Sequence, residues 1–379
     1  VALIASVAAF TFALARDLDV PALNVEPVET GLGLLVDAVP FPDDPKAMLL
    51  ATLDGYLHRW HAETGPVAVL HVPGVTAMYG EQGLYSAVFH PDWPRDDRVF
   101  IAHTSRGTGD LILVEHALPP SGAIRGDAHR ELLRIPIPQP LHHGGMLRFG
   151  GDGLLYFAVG NGISAIELLR ERPYPSQDPD SLRGKILRLD VEDPDGTLEV
   201  FASGFRNPWK FTIMDDGRLV VADVGEDTWE EITVATRGSN HGWPLREGPA
   251  CFRDPFTGRV FNPVCLGRGF TDPVISYRHI KVDPEGGQSV TGGVVISEAA
   301  GGTLAGYYVF GDFISGRIWL ARPGPVGAEH WDYGLAAWEP GAGLAAFVET
   351  GDGQLYGIGL TGTIYRLAAA AASDGVGAP

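Results

Sequence analysis

HHGGMLRFGGDGLLYFAVGNG, residues 142–162, sets the fold: a Gly pair, a short apolar run, the dipeptide Asp152-Gly153, and a second short run rich in aliphatic and aromatic residues. Asp-Gly is a pair that a tight hairpin turn favours, because the Gly adopts the left-handed backbone that such a turn requires. Apolar runs of four to eight residues bounded by Gly, Asp, Asn and Pro read as strands. The same unit returns as Asp54-Gly55-Tyr56-Leu57, Asp216-Gly217-Arg218-Leu219-Val220 and Asp352-Gly353-Gln354-Leu355-Tyr356. In each copy Asp-Gly is expected to make the turn and the residues after it an inner strand. The gaps fit multiples of one blade of roughly 45 to 65 residues, which predicts a β-propeller with uneven loops.

The composition agrees. Among 379 residues, 50 Gly and 29 Pro make up about a fifth of the chain, without the G-X-Y period of collagen. Apolar residues at 45% and charged residues at 20% suit a chain that buries a large core. The formal net charge of −19 repels a phosphate backbone and an anionic membrane surface, so nucleic acid is excluded as the expected partner. The two cysteines, Cys251 and Cys265, stand in a Pro/Gly-rich segment. They are too few for a Cys-rich zinc site and are expected to form one short-loop disulfide, which points to an oxidising compartment.

Three regions of unlike composition follow one another. Residues 1–15, VALIASVAAFTFALA, match the apolar core and A-x-A-like end of a secretory signal, truncated ahead of its basic segment; a buried strand or an anchor is the alternative. They fall short of the about 20 residues of a membrane span, so no integral membrane domain is expected. Residues 16–368 are read as the single propeller domain and 369–379 as a disordered tail of small residues. A propeller closes its ring by pairing a strand from one terminus into a blade begun at the other, and Thr363-Ile364-Tyr365-Arg366-Leu367 suits that task. Residues 163–172 are the one helix-like stretch, inside a long Pro-rich insertion of the kind that often carries function.

Several motifs carry chemistry. His142-His143-Gly144-Gly145 lies on the loop into a strand, where an imidazole facing a central funnel can act as a general base; a structural imidazole is the alternative. Arg206-Asn207 precedes Pro208, pairing a guanidinium that binds planar carboxylates with an amide that both donates and accepts. The stretch 223–232, DVGEDTWEEI, concentrates carboxylates and carbonyls suited to a hard cation such as calcium, against the alternative of a solvated acidic loop. No G-x-S-x-G, H-E-x-x-H or P-loop signature occurs, which argues against serine hydrolase, zinc peptidase and nucleotide chemistry.

Taken in order, these segments resemble the glucose/sorbosone dehydrogenase family: the soluble quinoprotein aldose sugar dehydrogenases and the propellers of hedgehog-interacting-protein-like chains. The matching pieces are Gly80-Glu81-Gln82-Gly83-Leu84 with Phe89-His90-Pro91-Asp92, then HHGGMLRFGGDGLLYFAVGNG, SLRGKILRLD, ASGFRNPW, DVGEDTWEEI, GSNHGWPLREG, SVTGG and YYVFGDFISGRIW. They cover most of residues 75–320. The resemblance implies an all-β, six-bladed propeller that binds pyrroloquinoline quinone and calcium at its mouth and oxidises an aldose to its lactone, with an external electron acceptor and a periplasmic or secreted location. It places His142 as the base, Arg206 and Asn207 on the quinone, and Gly225 and Glu226 on calcium through their carbonyls. Glu81 falls where the family has a quinone-binding Gln.

Other departures concern charge. Phe313-Ile314-Ser315-Gly316 offers no cation where the glucose dehydrogenases have a Lys, and Gly343-Leu344-Ala345-Ala346-Phe347 replaces a segment that carries an Arg pair. At about 1.5 to 3 kcal/mol for each charged hydrogen bond, such losses weaken quinone binding considerably. Two other functions share the propeller: a non-enzymatic module for carbohydrate or protein, and a lactonase in which calcium activates water.

Overall fold

The computed structural model describes residues 18–75, 80–121, 129–168, 172–193, 196–253, 257–260, 265, 269–300 and 302–370. Its strands form six four-stranded antiparallel sheets, and the innermost strands begin at Leu35, Leu84, Gly144, Pro208, Val290 and Leu344. Each inner strand touches the inner strands of the blades on either side, and the last touches the first, so the chain is a closed six-bladed β-propeller.

Why the strands read as unbroken apolar runs is now plain. Six hydrophobic clusters lie one at each blade-to-blade interface, so each blade is buried on both faces. Leu155–Val159, Leu219–Asp223 and Tyr308–Asp312, all second strands, are buried at every position. Alternation disappears where no face meets water.

The ring closes through Leu23–Glu29, which pairs antiparallel with Thr363–Ala369 in the register Leu23↔Ala369 to Glu29↔Thr363. The expected closing segment at 363–367 therefore contributes the third strand of blade six, and the N-terminal strand adds the fourth. Ala369 ends that third strand and the Ala370 N–H donates to the Ala22 carbonyl; the rest of the expected tail, and residues 1–15, lie outside the described residues.

The Asp-Gly turns are present. In blades three, four and six they join the first strand to the second, and in blade one the second to the third, so the residues that follow form interior strands of their sheets. Gly153, Gly217 and Gly353 have φ of +79°, +81° and +83°, and the preceding Asp carboxylate accepts the N–H two residues on. Of the helix-like stretch, Ala165–Leu168 forms a single turn. The fourth blade carries the longest insertion, a hairpin of Arg246–Glu247 and Ala250–Cys251 stapled by the Cys251–Cys265 disulfide. Among the described residues no helix is long and apolar enough to cross a membrane.

Two Gly substitutions separate backbone strain from crowding. At Gly153 an added Cβ meets nothing within 4 Å, whereas at Gly353 it lies 2.5 Å from the Ala299 backbone. Gly153→Ala should cost only the left-handed penalty of about 1–2 kcal/mol. Gly353→Ala should cost about 1–3 kcal/mol more. Urea unfolding of both variants measures the difference, and equal losses would refute it.

Candidate functional site

All blades run from inside to outside, so the loops entering the inner strands and the loops joining second to third strands open on one face. Glu81, His142, Arg206 and Asn207 lie on the former, and Asn161, Gly225 and Glu226 on the latter. The fold thereby gathers residues spread over more than a hundred positions into one mouth.

His142 sits at φ +53°, a left-handed conformation uncommon for a residue with a side chain. Surrounding contacts hold it there: its N–H donates to Glu81 Oε2 at 2.7 Å, and a Cβ on Gly160 would overlap its carbonyl oxygen. Its Nδ1 faces two acceptors, the Ile163 carbonyl at 2.9 Å and Asn161 Oδ1 at 3.0 Å. Asn161 Oδ1 is fixed as an acceptor because it also receives the Ile163 N–H. Nδ1 must therefore carry the proton, which leaves a lone pair on Nε2. Burial, reinforced by the Arg206 charge, holds the His142 pKa well below 6.5, so the ring is neutral at neutral pH. A neutral imidazole with one nitrogen free of a proton is the form a general base needs. His143 is buried and stacked on Tyr85.

Glu81 is exposed as a residue, while its carboxyl is crowded enough that lost solvation raises its pKa. Its carboxylate accepts the His142 N–H, which makes it a support for that imidazole's backbone.

Arg206 and Asn207 are held by Asp223, the residue ending the second strand of their own blade. Its carboxylate accepts both backbone N–H groups, at 2.9 and 2.7 Å, and burial pushes its pKa up to about 7 despite those donors. Asn207 Oδ1 accepts the Gly144 N–H, tying this loop to that of His142. The Arg206 guanidinium donates to Glu226 Oε2 from Nε and Nη2 at 2.9 and 2.6 Å, and to the Val224 carbonyl. Asp312 occupies the same place in blade five and accepts the N–H groups of Gln288, Ser289, Ile314 and Ser315.

The loop after Asp223 is anchored from behind. One oxygen of Glu247 accepts the N–H groups of Glu226, Asp227, Thr228 and Trp229 at 2.8 to 3.2 Å, and Glu230 accepts that of Gly225. Successive amides turned on one anion form a nest. No hydrogen bond among the described residues uses the carbonyl oxygens of Gly225 and Glu226. Oxygen donors free of other partners fit a hard cation such as calcium. Arg206 and Asn207 fit a carboxylate-bearing organic group, with Glu226 as a competing anion.

Sequence reading missed Asn161, Asp223 and Glu247, although each stands inside a quoted motif. It also missed Arg183, whose Nη1 donates to the Asn161 carbonyl and brings a second guanidinium to the rim.

Residues 37–306 match the family described as Glucose / Sorbosone dehydrogenase. The HIPL1 protein of Arabidopsis thaliana is 32% identical over 229 residues, which is 52% of this chain and 32% of that protein. Aldose sugar dehydrogenase YliI of Escherichia coli (strain K12) is 28% identical over 225 residues, 55% of this chain and 58% of its own length. The matches thus span about a third to three-fifths of these relatives. The structure of the PQQ-bound form of aldose sugar dehydrogenase from Streptomyces coelicolor aligns with a TM-score of 0.69 at 25% identity, covering 91% of this chain and 97% of that one.

Glu247→Ala would strand four amides. The expected result is a loss of about 2–4 kcal/mol in stability and faster hydrogen exchange at residues 226–229, with amides in blade one unchanged. Unaltered exchange in that loop would refute the anchoring role.

Proposed function

Because this chain belongs to the glucose/sorbosone dehydrogenase family, we propose that it oxidises an aldose sugar at C1 to the lactone, using pyrroloquinoline quinone and calcium at the mouth. The observation that carries this reading is His142: a neutral imidazole whose proton is fixed on Nδ1 by Asn161 and Ile163, with Nε2 left basic.

His142 Nε2 takes the proton of the sugar C1 hydroxyl as the C1–H bond breaks and C1–O becomes a carbonyl. The quinone, when bound, supplies the acceptor for that hydride, and an external carrier takes the two electrons onward. Arg206 and Asn207 would hold a quinone carboxylate, and the Gly225 and Glu226 carbonyls would hold calcium, which offsets the excess of acids around the site. Glu81 acts from behind by fixing the His142 backbone. The Cys251–Cys265 disulfide supports a periplasmic or secreted location.

A second reading has its own support. Phe313-Ile314-Ser315-Gly316 brings no cation to the mouth, and Glu226 already engages Arg206. A propeller of this shape without quinone would bind carbohydrate or a protein instead.

Titration of the purified protein with calcium and pyrroloquinoline quinone, followed by an aldose panel, decides between them. The dehydrogenase reading expects saturable quinone binding and bleaching on adding sugar. His142→Ala should keep the binding and lose about 10²- to 10⁴-fold in turnover. Absence of quinone binding at tens of micromolar would overturn the reading.

A further inference from the structure

At the end of the axial channel opposite His142, the inner strands surround a well of about 230 Å³. Its walls include Met146, Phe149, Phe211, Ile213, Val294 and Phe347, and its floor is made by Asp37, Arg148 and Lys210. Phe149 and Ile213 are the last residues of their strands, whereas the mouth is built at the first residues, so the two sites face opposite ends.

Arg148 pairs with both oxygens of Asp37 at 3.0 Å, and the Ser86 hydroxyl adds a third bond to that carboxylate. Lys210 is left poorly served. Only 3% of it is exposed, yet its ammonium lies 3.5 Å from Asp37 and 3.4 Å from the Tyr85 carbonyl. Both distances exceed those of a well-made N–H···O bond. The floor thus sets two cations against one carboxylate, three of whose about four acceptor positions are filled by Arg148 and Ser86, and the other neighbour of the Lys210 ammonium is the Trp209 ring, 4.7 Å from its centroid. Burial, opposed by Asp37, lowers the Lys210 pKa to about 8, which leaves the ammonium charged at neutral pH. An uncompensated buried charge is costly, and a ligand of opposite sign relieves that cost.

We propose that this well binds a small organic monocarboxylate, with its carboxylate on Lys210 and its apolar body against Phe149, Ile213 and Phe347. The charge excess of the floor selects one negative charge, the apolar walls select a hydrocarbon body, and the volume, below that of drug-sized pockets, selects a small acid. The site is separate from the mouth and does not rest on sugar oxidation.

Calorimetry of the full chain at pH 7 with hexanoate and with hexanol tests it. Hexanoate should bind at least tenfold more tightly than hexanol, and Lys210→Met should erase that difference. Equal affinities, or no binding of either, would overturn the proposal. Crystals soaked in 4-bromobenzoate locate the ligand without any variant: bromine beside Phe149 and Phe347 is expected, and bromine at Arg206 alone would overturn the site.

Discussion

Pairing of Leu23–Glu29 with Thr363–Ala369 closes the ring, and every blade depends on that closure. A blade buried on both faces cannot stand alone, because each face would expose a sheet of aliphatic and aromatic side chains. Six blades in an open row would leave two such faces in water. Closure removes both, and it joins the two ends of the described chain in one sheet.

The mouth follows from the same geometry. Twelve loops converge at one end, and their backbone amides need acceptors where water is scarce. Asp223, Glu247, Glu230 and Asp312 supply them, each carboxylate taking N–H groups from the loops that frame the mouth. These acceptors fix the loops, and among the described residues no hydrogen bond uses His142 Nε2 or the Gly225 and Glu226 carbonyls. An arrangement set before a ligand arrives costs little reorganisation when one does.

Much of this was legible in the sequence. Asp-Gly turns and short apolar runs are local signals, and they yielded the strands and the propeller. Which hairpin each turn joins was not local, so the sequence did not distinguish the second strand of a blade from the third. Leu23–Glu29, LNVEPVE, gives a weak signal because it is an exposed edge strand carrying Pro27, a residue tolerated there where no further strand needs its missing N–H. Glu81, His142, Arg206, Asn207, Gly225 and Glu226 all lie at the mouth, brought there through motif resemblance. Asn161, Asp223 and Glu247 escaped notice because their roles exist only through contacts 16 to 21 residues distant along the chain.

The enzymatic and non-enzymatic readings divide on charge at the mouth, where Arg206 is shared with Glu226 and Arg183, inside the SLRGKILRLD motif, adds a cation through its bond to the Asn161 carbonyl. Both inherit the same imidazole, and only a dehydrogenase requires its form. The most direct measurement is nitrogen-15 NMR of the His142 ring across neutral and mildly acidic pH in the full chain. The expected spectrum is that of the Nδ1–H tautomer, with no protonation at the ordinary pKa of 6.5. An Nε2–H tautomer, or a ring that titrates at the ordinary value, would contradict the assignment of His142 as a base held ready at the mouth.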